Sequence, residues 1–174
     1  TIQILDPAQD YKRLRDGDEG PNTGGMGSFC PAGTIDEATM QLIESQVFVP
    51  ILDGLIREGI HYRGVLYAGV MLTRGGPKVL EFNCRFGDPE TQVVLPRMKT
   101  ELLDVLEAAV DGRLDQVVIE WDPRAAVCVV MASGGYPDTQ APPATIRNLP
   151  RDEEDVFVFH AGTKRAANGE SLAT

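Results

Sequence analysis

The stretch Leu80-Glu81-Phe82-Asn83-Cys84-Arg85, preceded by Lys78-Val79 and followed by Phe86-Gly87-Asp88-Pro89-Glu90, decides how this chain is read. Polar residues recur at every second position from Glu81 to Arg85, the period of a β-strand whose side chains point to opposite faces in turn. Just upstream, residues 64–73 are apolar and rich in strand-forming types, and Arg74-Gly75-Gly76-Pro77 is a turn signal. The two runs, 64–73 and 78–85, therefore predict a β-hairpin. Regular alternation puts Val79, Glu81, Asn83 and Arg85 on one face and Lys78, Leu80, Phe82 and Cys84 on the other. A carboxylate, an amide oxygen and a guanidinium then share one surface. Mg²⁺ takes oxygen ligands, typically one or two carboxylates with phosphate oxygens and water. Glu81 can supply the charge and Asn83 a neutral oxygen, while the planar fork of Arg85 can hold a phosphoryl oxygen. The same alternation also describes the solvated side of a half-exposed hairpin, and the residues alone leave both readings open.

Working outward, residues 6–33 are rich in Gly, Pro, Asp and Asn and read as a long functional loop. It contains Gly20-Pro21-Asn22-Thr23-Gly24-Gly25-Met26-Gly27, with four glycines in eight residues. Glycines let backbone amides approach an anion, so this string is read as a phosphate or carboxylate cradle, with a plain flexible loop as the alternative. It is not a P-loop, because no Gly-Lys-Ser/Thr follows, and no helical pattern starts there as a dinucleotide fingerprint requires. Lys12 and Arg13 precede it and could meet phosphates or simply face solvent.

Thr34 and Glu37 have capping-box spacing, and Met40, Ile43, Val47, Ile51 and Leu55 recur with helical period. Pro50 predicts a kink or split in that helix, and Gly59 its end. After the hairpin, Asp88 is placed either to orient a substrate amine or to cap the next helix. Thr100 is the expected cap of a helix ending at Gly112, with Leu102, Leu103, Leu106, Ala109 and Val110 on its buried face. Beyond residue 112 the composition changes. Residues 125–132 and 156–160 read as strands, and 138–150 is Pro-rich and irregular. Two domains are expected, 1–112 and 113–174.

With 174 residues and a net charge of −10, the chain shows no basic face of the kind that neutralises nucleic-acid phosphates, so nucleic acid is not an expected partner. No apolar run is long enough to span a bilayer and no signal-peptide pattern opens the chain, so no membrane partner is expected and a cytoplasmic location is. Three cysteines, 30, 84 and 128, form neither a disulfide framework nor a metal-type spacing, and are read as reduced thiols. His61 and His160 are not at metal spacing and are read as structural. The chain begins without Met, as though in mid-strand, which suggests a segment of a longer protein.

Glu-x-Asn-x-Arg at a strand end resembles the metal motif of the ATP-grasp ligases. The longer strings Glu81–Gln92 and Gly20–Gly27 resemble those of the phosphoribosylamine–glycine ligase family, also called glycinamide ribonucleotide synthetases. Asp10-Tyr11-Lys12-Arg13 is similar to a further family string in which His is commoner than Tyr at the second position. Gly134-Gly135-Tyr136-Pro137 and residues 159–164 match as well, so the resemblance covers nearly the whole chain.

It implies an α+β fold: the C-terminal half of an ATP-grasp domain, an antiparallel sheet with packed helices, followed by part of a small β-rich domain. It implies Mg²⁺ or Mn²⁺ on Glu81 and Asn83, a catalytic role for Arg85, and substrate or phosphate contacts at Lys12, Arg13, Asn22, Thr23, Gly24, Gly25, Gly27 and Asp88. The implied reaction joins glycine to 5-phosphoribosylamine with ATP, through glycyl phosphate, in purine biosynthesis. The implied partners are these small molecules and the missing N-terminal part of the same protein, which would carry the ATP lid, so the segment is expected to be inactive alone.

One departure is visible: many ATP-grasp relatives place another acid about a dozen residues before the motif, where this chain has Leu66-Tyr67-Ala68-Gly69-Val70. Rival readings are a ligase for another carboxylate and amine, a non-catalytic nucleotide- or metal-binding module, and a metal-dependent phosphohydrolase. The last would want an Asp/His cluster that two histidines do not supply.

Overall fold

A computed structural model of the chain describes residues 1–139, 142–150, 155–165 and 171–173. The fold is mixed α+β. The chain divides into two compact units, one formed by Thr1–Tyr11 with Gly27–Cys128, the other by Lys12–Met26 with Val129–Thr174. This division does not follow a single cut near residue 112, because an early segment belongs with the C-terminal one.

Four short strands occupy the region expected to be a loop: β1 (Gln9–Asp10), β2 (Arg13–Arg15), β3 (Glu19–Asn22) and β4 (Gly27–Cys30). None carries an alternating apolar run, so the strands that pair with them, rather than local propensity, select the extended backbone. In the first unit β1 runs antiparallel to β4, with Gln9 opposite Phe29 and Asp10 opposite Ser28. In the second unit β2 and β3 form a hairpin, with Arg13 opposite Asn22 and Arg15 opposite Glu19.

The helical series of residues 40–55 forms α1 (Glu37–Ile43) and α2 (Val49–Arg57), joined by one π-helical turn over Glu44–Phe48. The Val49 amide reaches back five residues to the Glu44 carbonyl. Widening the helix here accommodates Pro50, which lacks an N–H and whose ring would strike the carbonyl four residues back in a regular helix. The expected kink is therefore a π turn. The cap also differs from expectation: Asp36 rather than Thr34 starts α1, its Oδ1 accepting the Thr39 amide at 2.8 Å. A carboxylate is the better acceptor at the positive end of a helix. The exit is as expected. Gly59 sits at φ +71°, its amide donates to Ile56 O at 3.0 Å, and the Ile60 amide donates to Leu55 O at 2.8 Å. These are the two bonds of a Schellman motif.

The hairpin is formed by β5 (Tyr67–Thr73) and β6 (Gly76–Asn83). Tyr67 pairs with Asn83, Ala68 with Phe82 and Gly69 with Glu81, but Val70 pairs with Val79, so Leu80 is an extra residue in a β-bulge. Past the hairpin come α3 (Thr91–Val94), a 3₁₀ turn over Leu95–Arg97, and α4 (Leu102–Asp111), which ends at Gly112 as expected. Thr100 does not cap α4. Its hydroxyl instead accepts the Glu120 amide at 2.8 Å and donates to Val118 O at 3.3 Å. The buried face of α4 centres on Val105 and Ala108, while Leu103 and Val110 are 65% and 61% exposed and fall outside it.

The next strand, β7 (Ala126–Val129), is shorter than the expected 125–132 and joins the early strands in the order β1-β4-β7. The second unit holds a sheet of β8 (Ala144–Ile146), β9 (Thr163–Arg165) and β10 (Ser171–Ala173), in the order β8-β10-β9. The strand expected over residues 156–160 is reduced to one bridging residue at Val156. Its run of apolar residues lacks the alternation of a half-buried strand, and Phe157 and Phe159 are both largely exposed.

The first unit packs around Cys30, Val93 and Val94, with Leu5, Ala8, Trp121, Ala126 and Cys128 against them. Arg97, 6% exposed, ties this core to its rim. Its Nη1 donates to Asp6 Oδ2 at 2.6 Å and to Cys30 Sγ at 3.1 Å, Nε to Arg124 O at 2.7 Å and Nη2 to Asp122 O at 3.1 Å. Its guanidinium carbon lies 5.8 Å from the centre of the Trp121 ring. Cys30, Cys84 and Cys128 are free thiols. Among the described residues, no helix is long and apolar enough to cross a membrane.

Candidate metal and substrate site

Residues paired across an antiparallel ladder share a face. Glu81 and Asn83 therefore lie on one face of the hairpin with Gly69 and Tyr67 opposite them. Val79 does not join them. The bulge at Leu80 shifts the alternation by one residue, so Val79 pairs with Val70 on the other face. Arg85 is also outside the row, because β6 ends at Asn83. Its exposed guanidinium donates through Nη1 to the Phe86 carbonyl at 2.8 Å.

Gly69 leaves space for Glu81: a β-carbon at position 69 would stand 3.2 Å from Glu81 Cγ. The donor set suits a hard cation, since Glu81 is an exposed carboxylate and Asn83 a half-buried amide on the same side. Among the described residues, no three Asp, Glu, His or Cys side chains are grouped to hold a metal ion. A cation at Glu81 and Asn83 would thus take two ligands from the hairpin and the remainder from phosphate oxygens and water, as Mg²⁺ does at nucleotide sites.

Beside this face lies a group that the sequence did not announce. The Tyr67 hydroxyl donates to Glu90 Oε1 at 2.7 Å, and Glu90 is buried. Burial first, then the Glu90 carboxylate, raises the Tyr67 phenol well above its ordinary value. The loop between them is closed by Thr91, whose amide donates to Gly87 O at 3.1 Å and whose hydroxyl donates to the same carbonyl. It is anchored beneath by Ser28, whose buried hydroxyl donates to Pro89 O at 2.8 Å. Asp88 caps no backbone amide of α3. Its Oδ1 accepts the Gln92 side chain at 2.7 Å, and its carboxylate is exposed.

The other candidates fall in the second unit, except Gly27, which is buried in β4 and whose carbonyl accepts the Tyr11 amide at 3.0 Å. The amides expected to cradle an anion are engaged internally. The Thr23 amide donates to Lys12 O at 2.7 Å, the Gly25 amide to Thr23 Oγ1 at 3.0 Å, and the Gly24 amide to the Tyr136 hydroxyl at 3.0 Å. The Thr23 hydroxyl in turn donates to Lys12 O at 2.8 Å. Arg13 Nη1 donates to Gly20 O at 2.7 Å, and Asn22 ends β3 with an exposed side chain. Tyr136 is thus a loop-holding residue that sequence reasoning missed. It stands 112 positions from Gly24, and only the Gly-Gly-Tyr-Pro string drew attention to it. Of the two histidines, His160 Nδ1 lies 3.2 Å from Thr163 Oγ1, and neither belongs to a metal-type group.

Residues 1–91 match the family described as phosphoribosylglycinamide synthetase, ATP-grasp (A) domain, and residues 126–174 match the phosphoribosylglycinamide synthetase C domain. The chain is 52% identical over 177 aligned residues to the phosphoribosylamine–glycine ligase of Rhodopirellula baltica, covering all of this chain and 40% of that protein. It is 53% identical over 181 residues to the trifunctional purine biosynthetic protein adenosine-3 of Gallus gallus, covering 18% of it. The crystal structure of phosphoribosylamine–glycine ligase from Thermotoga maritima superposes with a TM-score of 0.80 at 40% identity, over 97% of this chain and 41% of that one. The chain thus spans well under half the length of these relatives, and by sequence and fold together it belongs to the phosphoribosylglycinamide synthetase family.

Proposed function

We propose that this chain supplies the metal-bearing and part of the substrate-binding surface of a phosphoribosylamine–glycine ligase. The observation that carries the reading is the placement of Glu81 and Asn83 side by side on one hairpin face, opposite Gly69 and Tyr67. In finer terms, the hairpin and its helices form the C-terminal half of an ATP-grasp domain, and the sheet of β8, β9 and β10 belongs to a small β-rich domain. The substrates are ATP, glycine and 5-phosphoribosylamine, and the location is cytoplasmic.

In the reaction, a carboxylate oxygen of glycine attacks the γ-phosphorus of ATP and ADP leaves, giving glycyl phosphate. The amine of 5-phosphoribosylamine then attacks the glycyl carbonyl, loses a proton, and displaces inorganic phosphate to leave the amide. Glu81 and Asn83 would hold Mg²⁺ or Mn²⁺, and a bound ion would supply neutralisation of charge on the phosphoryl oxygens. Arg85, just past the end of β6 and exposed, would stabilise the transferred group through its guanidinium. Asp88, exposed at the neighbouring turn, orients the incoming amine. Lys12, Arg13, Asn22 and Thr23 present side chains to substrate phosphate. The segment Gly24–Gly27 gives the backbone course that keeps water from an acyl phosphate, which hydrolyses readily. The second jaw of the ATP clamp comes from the remainder of the ligase, so these 174 residues alone do not turn over.

The decisive measurement is Glu81→Ala in the full-length ligase. Metal-dependent turnover is expected to fall by several orders of magnitude while the circular dichroism spectrum stays unchanged, because an exposed strand-end carboxylate contributes little to packing. Wild-type rate at low Mg²⁺ in that variant would refute the site. Product analysis with glycine against other small carboxylates separates this ligase from one for a different substrate pair. Calorimetric binding of Mg-ATP without turnover would instead identify a non-catalytic module.

A further inference from the structure

We propose that Tyr67 is a positioning residue for the metal face, fixing Glu81 and Asn83 through its hydrogen bond to the buried Glu90. The inference rests on the metal reading of Glu81 and Asn83 given above. Its basis is the set of close approaches around one aromatic ring. Tyr67 stands directly across the ladder from Asn83, and two positions along its strand Gly69 stands across from Glu81. One edge of the ring borders the Glu81 side, with Cε1 3.7 Å from where a Gly69 β-carbon would sit. The other edge borders the following loop, with Cε2 2.8 Å from where a Gly87 β-carbon would sit. The hydroxyl at the tip reaches Glu90 Oε1 at 2.7 Å, and the Glu90 carboxylate is laid over Gly87, with Oε2 2.6 Å from the same β-carbon position.

The ring is therefore a bar on the hairpin face that carries the two oxygen donors, reaching from beside Gly69 to the turn that follows β6. Both contact points are glycines: a side chain at Gly87 would push the bar and its anchor, and one at Gly69 would press on the Glu81 stem beside the ring. Glu90 is itself held, since its carbonyl accepts the amides of Val93 and Val94 at 3.1 and 3.0 Å and it is 8% exposed. A buried carboxylate tied to a fixed backbone is a firm anchor, and an aromatic ring has few rotamers through which to slacken. Tyr67 bonds to Glu90 rather than to a ligand and acts through the place of its ring on their face; groups that hold metal ligands in orientation typically alter metal affinity by about 10–100-fold when removed.

The test uses the full-length ligase titrated with Mn²⁺, with free Mn²⁺ followed by its electron paramagnetic resonance signal. Glu81→Gln serves as the reference for loss of a ligand. Tyr67→Phe keeps the ring and removes only the hydroxyl, and it is expected to weaken Mn²⁺ binding about tenfold, with KM for the amine substrate unchanged. Glu90→Gln keeps an acceptor for the phenol but no charge, and it is expected to stay within about threefold of wild type. Should Tyr67→Phe prove poorly folded by circular dichroism, Glu90→Ala provides the same loss of anchor and the same expected weakening.

Unchanged affinity in Tyr67→Phe, alongside loss in Glu81→Gln, overturns the positioning role and leaves the metal site standing. Greater loss in Glu90→Gln than in Tyr67→Phe makes the Glu90 charge the operative group, and also overturns it. Unchanged affinity in Glu81→Gln removes the metal site and this inference together.

Discussion

A β-carbon at position 87 would lie 2.6 Å from Glu90 Oε2 and 2.8 Å from Tyr67 Cε2, whereas one at position 69 would be tight against the flexible stem of Glu81, at 3.2 Å, and in ordinary contact with Tyr67 Cε1, at 3.7 Å. The two glycines should therefore respond differently to the same change. Gly87→Ala forces a buried carboxylate or an aromatic ring to move, and it is expected to cost about 1–3 kcal/mol, the usual range for overpacking. Gly69→Ala asks a methylene to shift by a few tenths of an ångström and should cost clearly less. Urea unfolding of the two variants checks the order, and equal losses would show that the Tyr67–Glu90 contact is slack. At this scale the sequence was informative about donors and silent about supports. The oxygen types of Glu81 and Asn83, and their period of two, could be read directly, because both facts are local. The bond from Tyr67 to Glu90 spans 23 positions and unites residues with no shared motif. The turn of Tyr136 onto Gly24 was hidden for the same reason.

Helix ends were legible because each is decided within one turn of chain. Gly59 and Gly112 close their helices in the left-handed conformation, at φ +71° and +73°. Gly59→Ala puts a β-carbon into that conformation and is expected to destabilise the first unit by about 1–2 kcal/mol. Thermal unfolding checks this, and no loss would mean that the Schellman closure does not hold α2. Helix starts were less legible. Thr34 and Glu37 had the right spacing, but Asp36 made the bond, and the hydroxyl of Thr100 went to the segment around residues 118–120 instead of to α4. A spacing rule names every residue able to cap and leaves the choice to the path of the approaching chain. Pro50 was recognised as a disturbance, but whether a proline kinks a helix or is absorbed by a π turn depends on whether the helices on both sides must stay in line.

For the molecule as a whole, the family strings implied the α+β class and placed the chain, while the pairing and packing of the first unit run past residue 112. β7 belongs with β1 and β4, and Trp121, Ala126 and Cys128 pack on the core around Cys30. Two acceptors of the Arg97 guanidinium, Asp122 O and Arg124 O, also follow residue 112. A chain ended after Gly112 should therefore lose cooperative unfolding, while one ended after Val130 should keep the protected amides of the first unit. Hydrogen exchange on the two fragments tests this, and equal protection would restore the simpler boundary. The strands between residues 9 and 30 were missed because β1 and β4 pair across some twenty positions, and the short β2–β3 hairpin has a sequence that reads as turn.

The bulge in β6 has a bearing on how this hairpin tolerates changes in length. With Val70 opposite Val79 and Gly69 opposite Glu81, Leu80 is the spare member of the ladder, and it is 62% exposed. Removing it would leave every other pair in place: Glu81 would keep its side, and the turn after Thr73 would keep its position. Deleting Phe82 instead would draw the spare residue into the ladder and set Glu81 opposite Ala68, on the other face, while Val79 and the turn keep their places. A Leu80 deletion is thus expected to retain Mn²⁺ affinity in the full-length ligase, and a Phe82 deletion to abolish it, as read by the same titration. The hairpin carries a one-residue reserve, so a lineage could gain or lose a codon there without disturbing the two oxygens beyond it.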